Sequence, residues 1–241
     1  MLFHMENKHG YNQFCPVALT SELICNRWTT LILRAFFCGA TSYSDIQGSA
    51  PLMSSAILSR RLRELEFANI IEVVPAKENA RKRYQLTAAG KALFPIVDQM
   101  GIWAQNWLRR EITLEENMDP DVLFWELRQL NISRGIDVER RRVTEFNVSG
   151  VPAPKQRYWL IFEPDNIEIC IKDPGHEVDL WITSSIKTLV EIWLGHVPLS
   201  QAYDEGALQL DGPRPEIEAF SEWFVLSHFA QAELERNADR R

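Results

Sequence analysis

Along the first hundred residues apolar positions recur at intervals of three and four, and the interruptions fall where helix ends belong. Leu19, Leu23 and Ile24, then Leu31, Ile32, Ala35 and Phe36, predict helices over residues 16–25 and 28–37, with Gly39 at the stop. Ser42 suits the cap of a short helix over 43–47, closed by the turn-forming run Gly48, Ser49, Ala50 and Pro51. A fourth helix starts near Ser54 or Ser55 and runs to Phe67. At helical spacing Ile57, Leu58, Leu62, Leu65 and Ala68 share its packing face, while Ala56, Ser59, Arg60 and Arg63 share the free one. Asn69, tolerant of the left-handed conformation, follows it. The period then shortens to that of strands over 70–74 and 83–86, joined by a polar, basic segment, which predicts a hairpin with a charged tip. Thr87 begins a long last helix to about Arg110, which Pro95 bends without abolishing. Its stripe is Leu93, Ile96, Val97, Met100, Trp103, Ala104 and Trp107.

The pattern changes after residue 112. An acidic, apolar-poor stretch at 113–119 predicts a linker, and Pro120 opens a helix carrying Val122, Leu123, Leu127 and Leu130. Strand-like runs follow at 143–148, 157–162, 167–171 and 178–183, separated by turn chemistry around Pro152, Pro164 and Pro174. Ser184 or Ser185 caps a helix over 186–194 that Gly195 stops. A short strand at 207–210, a turn at Asp211, Gly212 and Pro213, and a closing helix over 215–232 complete the chain. Meandering strands followed by helices predict an α+β domain. The expected division is residues 1–112 and 117–236.

Charge sharpens that division. The chain of 241 residues carries a net charge of -7, but residues 1–110 hold thirteen Lys and Arg against eight Asp and Glu. The remainder holds thirteen against twenty-five, so a basic half precedes an acidic one. An apolar fraction of 46% marks a folded chain. No apolar run reaches the roughly 18 residues of a membrane span, and the start lacks a signal-peptide core, so a cytoplasmic protein is expected. Cys15, Cys25, Cys38 and Cys170 form no CxxC pair and no metal-ligand spacing with a histidine, so neither disulfide, metal nor cofactor is expected. Cys25, Cys38 and Cys170 read as core. No nucleophile elbow, phosphate loop or zinc-protease motif points to an enzyme.

Several runs in the first half occur in a recognisable order. They are Cys15-Pro16, Arg27-Trp28-Thr29, Leu31-Ile32-Leu33-Arg34, Tyr43-Ser44-Asp45-Ile46, Leu58-Ser59-Arg60-Arg61-Leu62-Arg63-Glu64-Leu65 and Tyr84-Gln85-Leu86-Thr87-Ala88-Ala89-Gly90. Together they resemble the HxlR-type winged helix-turn-helix regulators across most of residues 14–108. Asn69 stands where that family usually has Gly, and Glu78-Asn79-Ala80-Arg81-Lys82 replaces its usual proline-rich wing tip. The second half resembles a sterol carrier protein-like domain through Val178-Asp179-Leu180-Trp181-Ile182-Thr183, Leu189-Val190-Glu191-Ile192-Trp193-Leu194-Gly195 and Gly206-Ala207-Leu208-Gln209-Leu210-Asp211-Gly212. Ser184-Ser185 stands where such domains usually carry Gly-Asp. The resemblances imply a mainly α winged helix-turn-helix domain that binds double-stranded operator DNA, followed by an α+β domain with a hydrophobic tunnel.

On that reading Arg60 and Arg63 reach base edges, and Ser54, Ser55 and Ser59 meet phosphates near the helix start. Lys77, Arg81, Lys82 and Arg83 in the hairpin meet phosphates or the minor groove. Arg61 lies on the packing side and reads as a structural ion pair with Glu22 or Asp45. Leu93, Val97, Met100, Trp103 and Trp107 form a candidate homodimer seam, with packing against the second domain as the alternative. Cys15, just before the first helix, is a candidate thiol sensor, because a helix N-terminus favours thiolate and because family members carry a sensing cysteine near this point; a buried small hydrophobe is the alternative. Trp159, Phe162, Trp181, Trp193, Phe220, Trp223 and Phe224 either line a cavity for a small apolar effector or fill the core. The rival functions are a lipid carrier with a vestigial helix-turn-helix and an enzyme acting through the second domain.

Overall fold

The computed structural model describes residues 10–74, 82–136, 138–164 and 166–231. The chain divides into two compact units, Met1–Gln99 and Met100–Arg241.

In the first unit, helix α1 (Pro16–Ile24) begins on a proline whose missing N–H costs nothing at that position. Trp28 takes a left-handed conformation (φ 78°) before α2 (Thr29–Phe37), and Gly39 (φ 90°) turns the chain out of it. Helix α3 (Tyr43–Gly48) is capped by Ser42, whose hydroxyl accepts from the Asp45 amide. Ser54 caps α4 (Ser55–Phe67) by accepting from the Ile57 amide. Asn69, at φ 56°, ends that turn and starts the hairpin β1 (Ile71–Val74) and β2 (Arg83–Leu86), antiparallel with Ile71 opposite Leu86. The Tyr84 amide donates to the Thr41 carbonyl (2.8 Å), tying β2 to the segment ahead of α3. Ile32, Leu33, Ile46, Leu58, Leu65 and Ile71 form the buried centre.

Three expectations fail here. Ile57 leaves the packing face and is 38% exposed, since the apolar stripe narrows to Leu58, Leu62 and Leu65 at the helix start. Cys25 is exposed and Cys38 half-buried, because both stand at C-caps beyond the packed turns rather than within them. The long last helix is three pieces. Thr87 caps only α5 (Ala88–Lys91), and a new helix α6 (Phe94–Trp107) takes Pro95 into its first turn, where its missing N–H costs no hydrogen bond within the helix. Leu108 (ψ 26°) separates α6 from α7 (Arg109–Ile112). The division between the units falls within α6.

In the second unit the expected linker is folded. Glu115–Asn117 makes a 3-10 turn, Met118 is buried, and Asp119 caps α8 (Pro120–Arg134) by accepting from the Asp121 amide. Lys155 bridges Asp119 and Asp121 at 2.6 and 2.7 Å, and the Tyr158 hydroxyl donates to Asp121. Gly135 (φ 63°) ends α8.

Among the described residues five strands follow: β3 (Arg142–Ser149), β4 (Arg157–Glu163), β5 (Asn166–Cys170), β6 (Leu180–Ser185) and β7 (Leu208–Asp211). Their order across the sheet is β5-β4-β3-β6-β7. Only β3 to β5 meander. β6 returns to the far side of β3 and runs parallel to it, Thr144 opposite Leu180 and Ser149 opposite Ser185. In β4 the residues Tyr158, Leu160 and Phe162 enter the main core, while Trp159 and Ile161 pack with Val143 in a separate buried cluster. A strand covered on both faces reads as an unbroken apolar run, which conceals its alternation.

Ser185 caps α9 (Ile186–Trp193) by accepting from the Thr188 amide. A helix not foreseen, α10 (Leu199–Asp204), lies before β7. Helix α11 (Arg214–Trp223) stops nine residues short of the expected end, because Phe224 adopts ψ 75°. The freed backbone is used elsewhere: Asn131 donates its side-chain amide to the Trp223 carbonyl (2.9 Å), and the Ser227 amide donates to the Trp193 carbonyl (2.7 Å). Phe124, Phe146, Tyr158, Leu160, Ile192 and Phe220 are fully buried between sheet and helices. Cys170 is half-buried beside the smaller cluster.

Candidate nucleic-acid interface

Helices α3 and α4 meet through a braced turn. Met53 is buried as its plug, and the Gln47 side-chain amide donates to the Met53 carbonyl. Ser49 donates back to the Ile46 carbonyl (2.8 Å). Tyr43 donates to the Ser55 carbonyl (2.8 Å), and its oxygen lies 3.2 Å from the Ser59 hydroxyl. The start of α4 is therefore held by polar contacts from α3 while Leu58, Leu62 and Leu65 anchor its inner face. Tyr43 escaped the sequence reading as a bracing residue; its place at the first turn of α3 carried no separate signal.

Ser54, Ser55, Ala56, Arg60 and Arg63 are exposed on the outer side of α4. Ser54 satisfies one of the helix's unpaired N-terminal amides, leaving others beside the Ser55 hydroxyl to meet an anion. Ser59 differs from its neighbours: it is half-buried and engaged by Tyr43.

Arg60 places Nε 2.8 Å from Glu64, and Arg61 bonds the other oxygen of the same carboxylate. Arg61 is thus an ion-paired residue on the inner side, with Glu64 as partner in place of Glu22 or Asp45; Glu22 instead accepts from the Tyr11 amide. Burial pushes the Glu64 carboxyl up, but hydrogen bonds from Arg60 and Arg61 outweigh it and leave the pKa below the ordinary carboxylate value. An exposed Arg-Glu pair contributes little, roughly 0–1 kcal/mol, so Arg60 can exchange Glu64 for another acceptor at small cost.

In the hairpin Lys82 and Arg83 are exposed, and Lys77 and Arg81 lie outside the described residues. Cys15 sits at the N-cap of α1, half-buried, with no side-chain capping bond. Of the candidate seam residues, Leu93, just before α6, is half-buried and Val97 buried, whereas Met100, Trp103 and Trp107 are exposed. Among the described residues no group of His, Cys, Asp or Glu gathers as a metal site.

The seven aromatic residues, candidates either for a ligand cavity or for the core, do not converge on one site. Phe162, Trp223 and Phe224 line a cavity of about 660 Å³ in the second unit. Phe220 is packed into the core, Trp159 belongs to the cluster beside Val143, Trp193 is half-buried beside the core, and Trp181 is exposed. Strand alternation separates them: Trp159 and Phe162 are an odd number of residues apart and point to opposite faces.

The profile of the HxlR-like helix-turn-helix family matches residues 23–112. The HTH-type transcriptional regulator YvaP of Bacillus subtilis, itself uncharacterized, is 33% identical over 100 residues, which are 40% of this chain and 92% of that relative. The HTH-type transcriptional regulator YodB of Bacillus subtilis is 32% identical over 98 residues, 40% of this chain and 88% of its own. Among solved structures, the reduced form of YodB aligns with a TM-score of 0.35 at 30% identity, covering 39% of this chain and 95% of that one.

Proposed function

The chain belongs to the HxlR-like helix-turn-helix family, and from that premise we infer a DNA-binding transcriptional regulator whose α4 reads the major groove of an operator as part of a dimer. The observation that carries the reading is the face of α4: a capped, braced helix of 13 residues with Arg60 and Arg63 exposed on the side away from its core. Such a helix fits the major groove, and an Arg there can donate two hydrogen bonds to guanine. Ser54 and Ser55 bind phosphate at the helix start, and the basic residues Lys77, Arg81, Lys82 and Arg83 add further DNA contacts. Residues 1–112 carry DNA binding and the seam of Leu93, Val97, Met100, Trp103 and Trp107. Exposed Met100, Trp103 and Trp107 support that seam, since a self-complementary apolar strip is what a twofold interface uses. Cys15 is assigned as a thiol sensor, supported by its half-exposed place at a helix N-terminus.

Residues 117–236 act as a sterol carrier protein-like effector domain working in the cytoplasm. The helix-covered mixed sheet and the cavity beside Phe162 and Trp223 support an effector with an apolar body. Among the described residues no helix is long and apolar enough to cross a membrane. The test is titration of the whole protein against its own upstream DNA at two salt concentrations. Binding that weakens with salt and exceeds that of scrambled DNA is the expected result. Absent operator binding would leave the rival, a hydrophobic-ligand carrier with a vestigial helix-turn-helix.

A further inference from the structure

The cavity of the second unit combines aromatic and aliphatic walls with charged residues of both signs. Phe162 and Trp223 stand with ring centres 5.2 Å apart and tilted by 56°, a wall suited to a flat apolar body. The early end of α11 makes this space: the turn at Phe224 brings Phe224, Val225 and Leu226 into the lining. Its volume of about 660 Å³ is that of a small-molecule site.

Arg142 and Arg134 line the same cavity. The Arg142 Nε is shielded from solvent and has no hydrogen-bond partner; the Glu216 carboxylate stands 3.8 Å from it. Glu216 is committed elsewhere, because its other oxygen accepts from Arg140 at 2.8 Å. Arg134 donates one N–H, at 3.4 Å, to the Glu222 backbone carbonyl, and a guanidinium has four more to give. The Glu216 and Glu222 carboxylates share the lining, and among the described lining residues the buried side-chain polar atom without a partner is the Arg142 donor. A buried donor without a partner is costly, and a ligand oxygen that satisfies it recovers that cost.

We propose that this cavity binds a small organic carboxylate with an aromatic body, the carboxylate on Arg142 and Arg134 and the ring against Phe162 and Trp223. A planar carboxylate matches the guanidinium fork, whereas a neutral apolar molecule leaves the Arg142 Nε unpaired. The proposal deepens the effector reading and rests on it, but not on DNA binding.

The experiment is calorimetric titration of the full-length protein near neutral pH with 2-naphthoate, alongside 2-naphthol, 2-naphthylmethylamine and decanoate. The expected result is 2-naphthoate binding at least about tenfold tighter than the neutral, cationic and flexible probes, as charge-assisted pairing and a ring wall require. Arg142→Gln, shown folded by an unchanged thermal midpoint, should weaken 2-naphthoate by about tenfold and leave 2-naphthol unchanged. If Arg142→Gln unfolds, Arg134→Gln carries the same comparison. Equal binding of naphthol, tighter binding of the amine, or an unaffected Arg variant overturns the carboxylate assignment. Tighter decanoate overturns the aromatic body, and no binding of any probe overturns the site. Operator affinity, measured without probe, fails or holds independently.

Discussion

If α4 reads the operator, the Arg60–Glu64 pair sets a competition that the DNA must win. Because the pair is exposed, the gain from a guanine decides the outcome, and Arg60→Ala or Arg63→Ala should cost on the order of 1–3 kcal/mol at the operator while leaving the fold intact. Operator affinity unchanged in both variants, measured by fluorescence anisotropy, would remove α4 as the reading helix. Gly90 is a second decisive residue. A Cβ built there would lie 2.1 Å from the Ile70 carbonyl oxygen, which also accepts from the Thr87 amide and so cannot retreat freely. Gly90→Ala should therefore lower unfolding free energy by about 1–3 kcal/mol in urea titrations, the usual cost of forcing atoms into a packed site. At this scale the sequence was legible wherever chemistry is local: Ser42, Ser54 and Asn69 do what their side chains dictate. Arg61 is ion-paired on the inner side as its position predicts, but its partner is Glu64, three residues on along the same helix, rather than Glu22 or Asp45. Ile57 was misread because a wheel gives direction without telling how far a neighbour's cover extends.

Helices α5 to α7 show where periodicity alone misleads. The apolar spacing runs on through residues 93–107, but Pro95 can be accommodated only in a first turn, so the stripe belongs to a shorter helix than its length suggests. Its exposed members are still aligned. If Met100 and Trp103 form the twofold seam, replacing both with Asp should yield a species of one chain mass in light scattering with weakened operator binding. A doubly charged variant that stays dimeric would place the seam on another element. In the wing, replacing Lys82 and Arg83 with Gln should weaken binding to all sequences alike and reduce the salt slope by about one per lost phosphate contact. A loss confined to one base pair would instead show that β2 reads sequence. Helix α11 was overextended for the opposite reason to α6: nothing in its spacing marks Phe224, whose turn is set by tertiary bonds to Asn131 and Trp193.

For the whole molecule, the anchor between α8 and the sheet makes stability depend on alkaline pH. Burial, then the Asp121 hydrogen bond and the charges of Asp121 and Asp119, push the Tyr158 hydroxyl well above its ordinary pKa. Burial pulls Lys155 down, but the hydrogen bonds it donates to Asp119 and Asp121 prevail and leave it raised. Both groups hold their protons more tightly folded than unfolded, so their contribution is complete below the unfolded values near 10 and is lost as pH rises beyond them. The thermal midpoint should fall between about pH 10 and 11, and less steeply in Tyr158→Phe. An unchanged slope in that variant would dissociate Tyr158 from the effect. The order of elements in this unit was legible, yet the sheet order was not, since strand pairing is a long-range choice that local patterns leave open. That choice has a consequence during synthesis. Until residues 180–185 emerge from the ribosome, one edge of β3 from Thr144 to Ser149 has no partner, although the hairpins with β4 and β5 can already form. An apolar strand with an open edge is a template for other chains. Nascent or truncated chains ending before Leu180 should therefore aggregate, and slow passage of the ribosome through that stretch would lower the yield of folded protein.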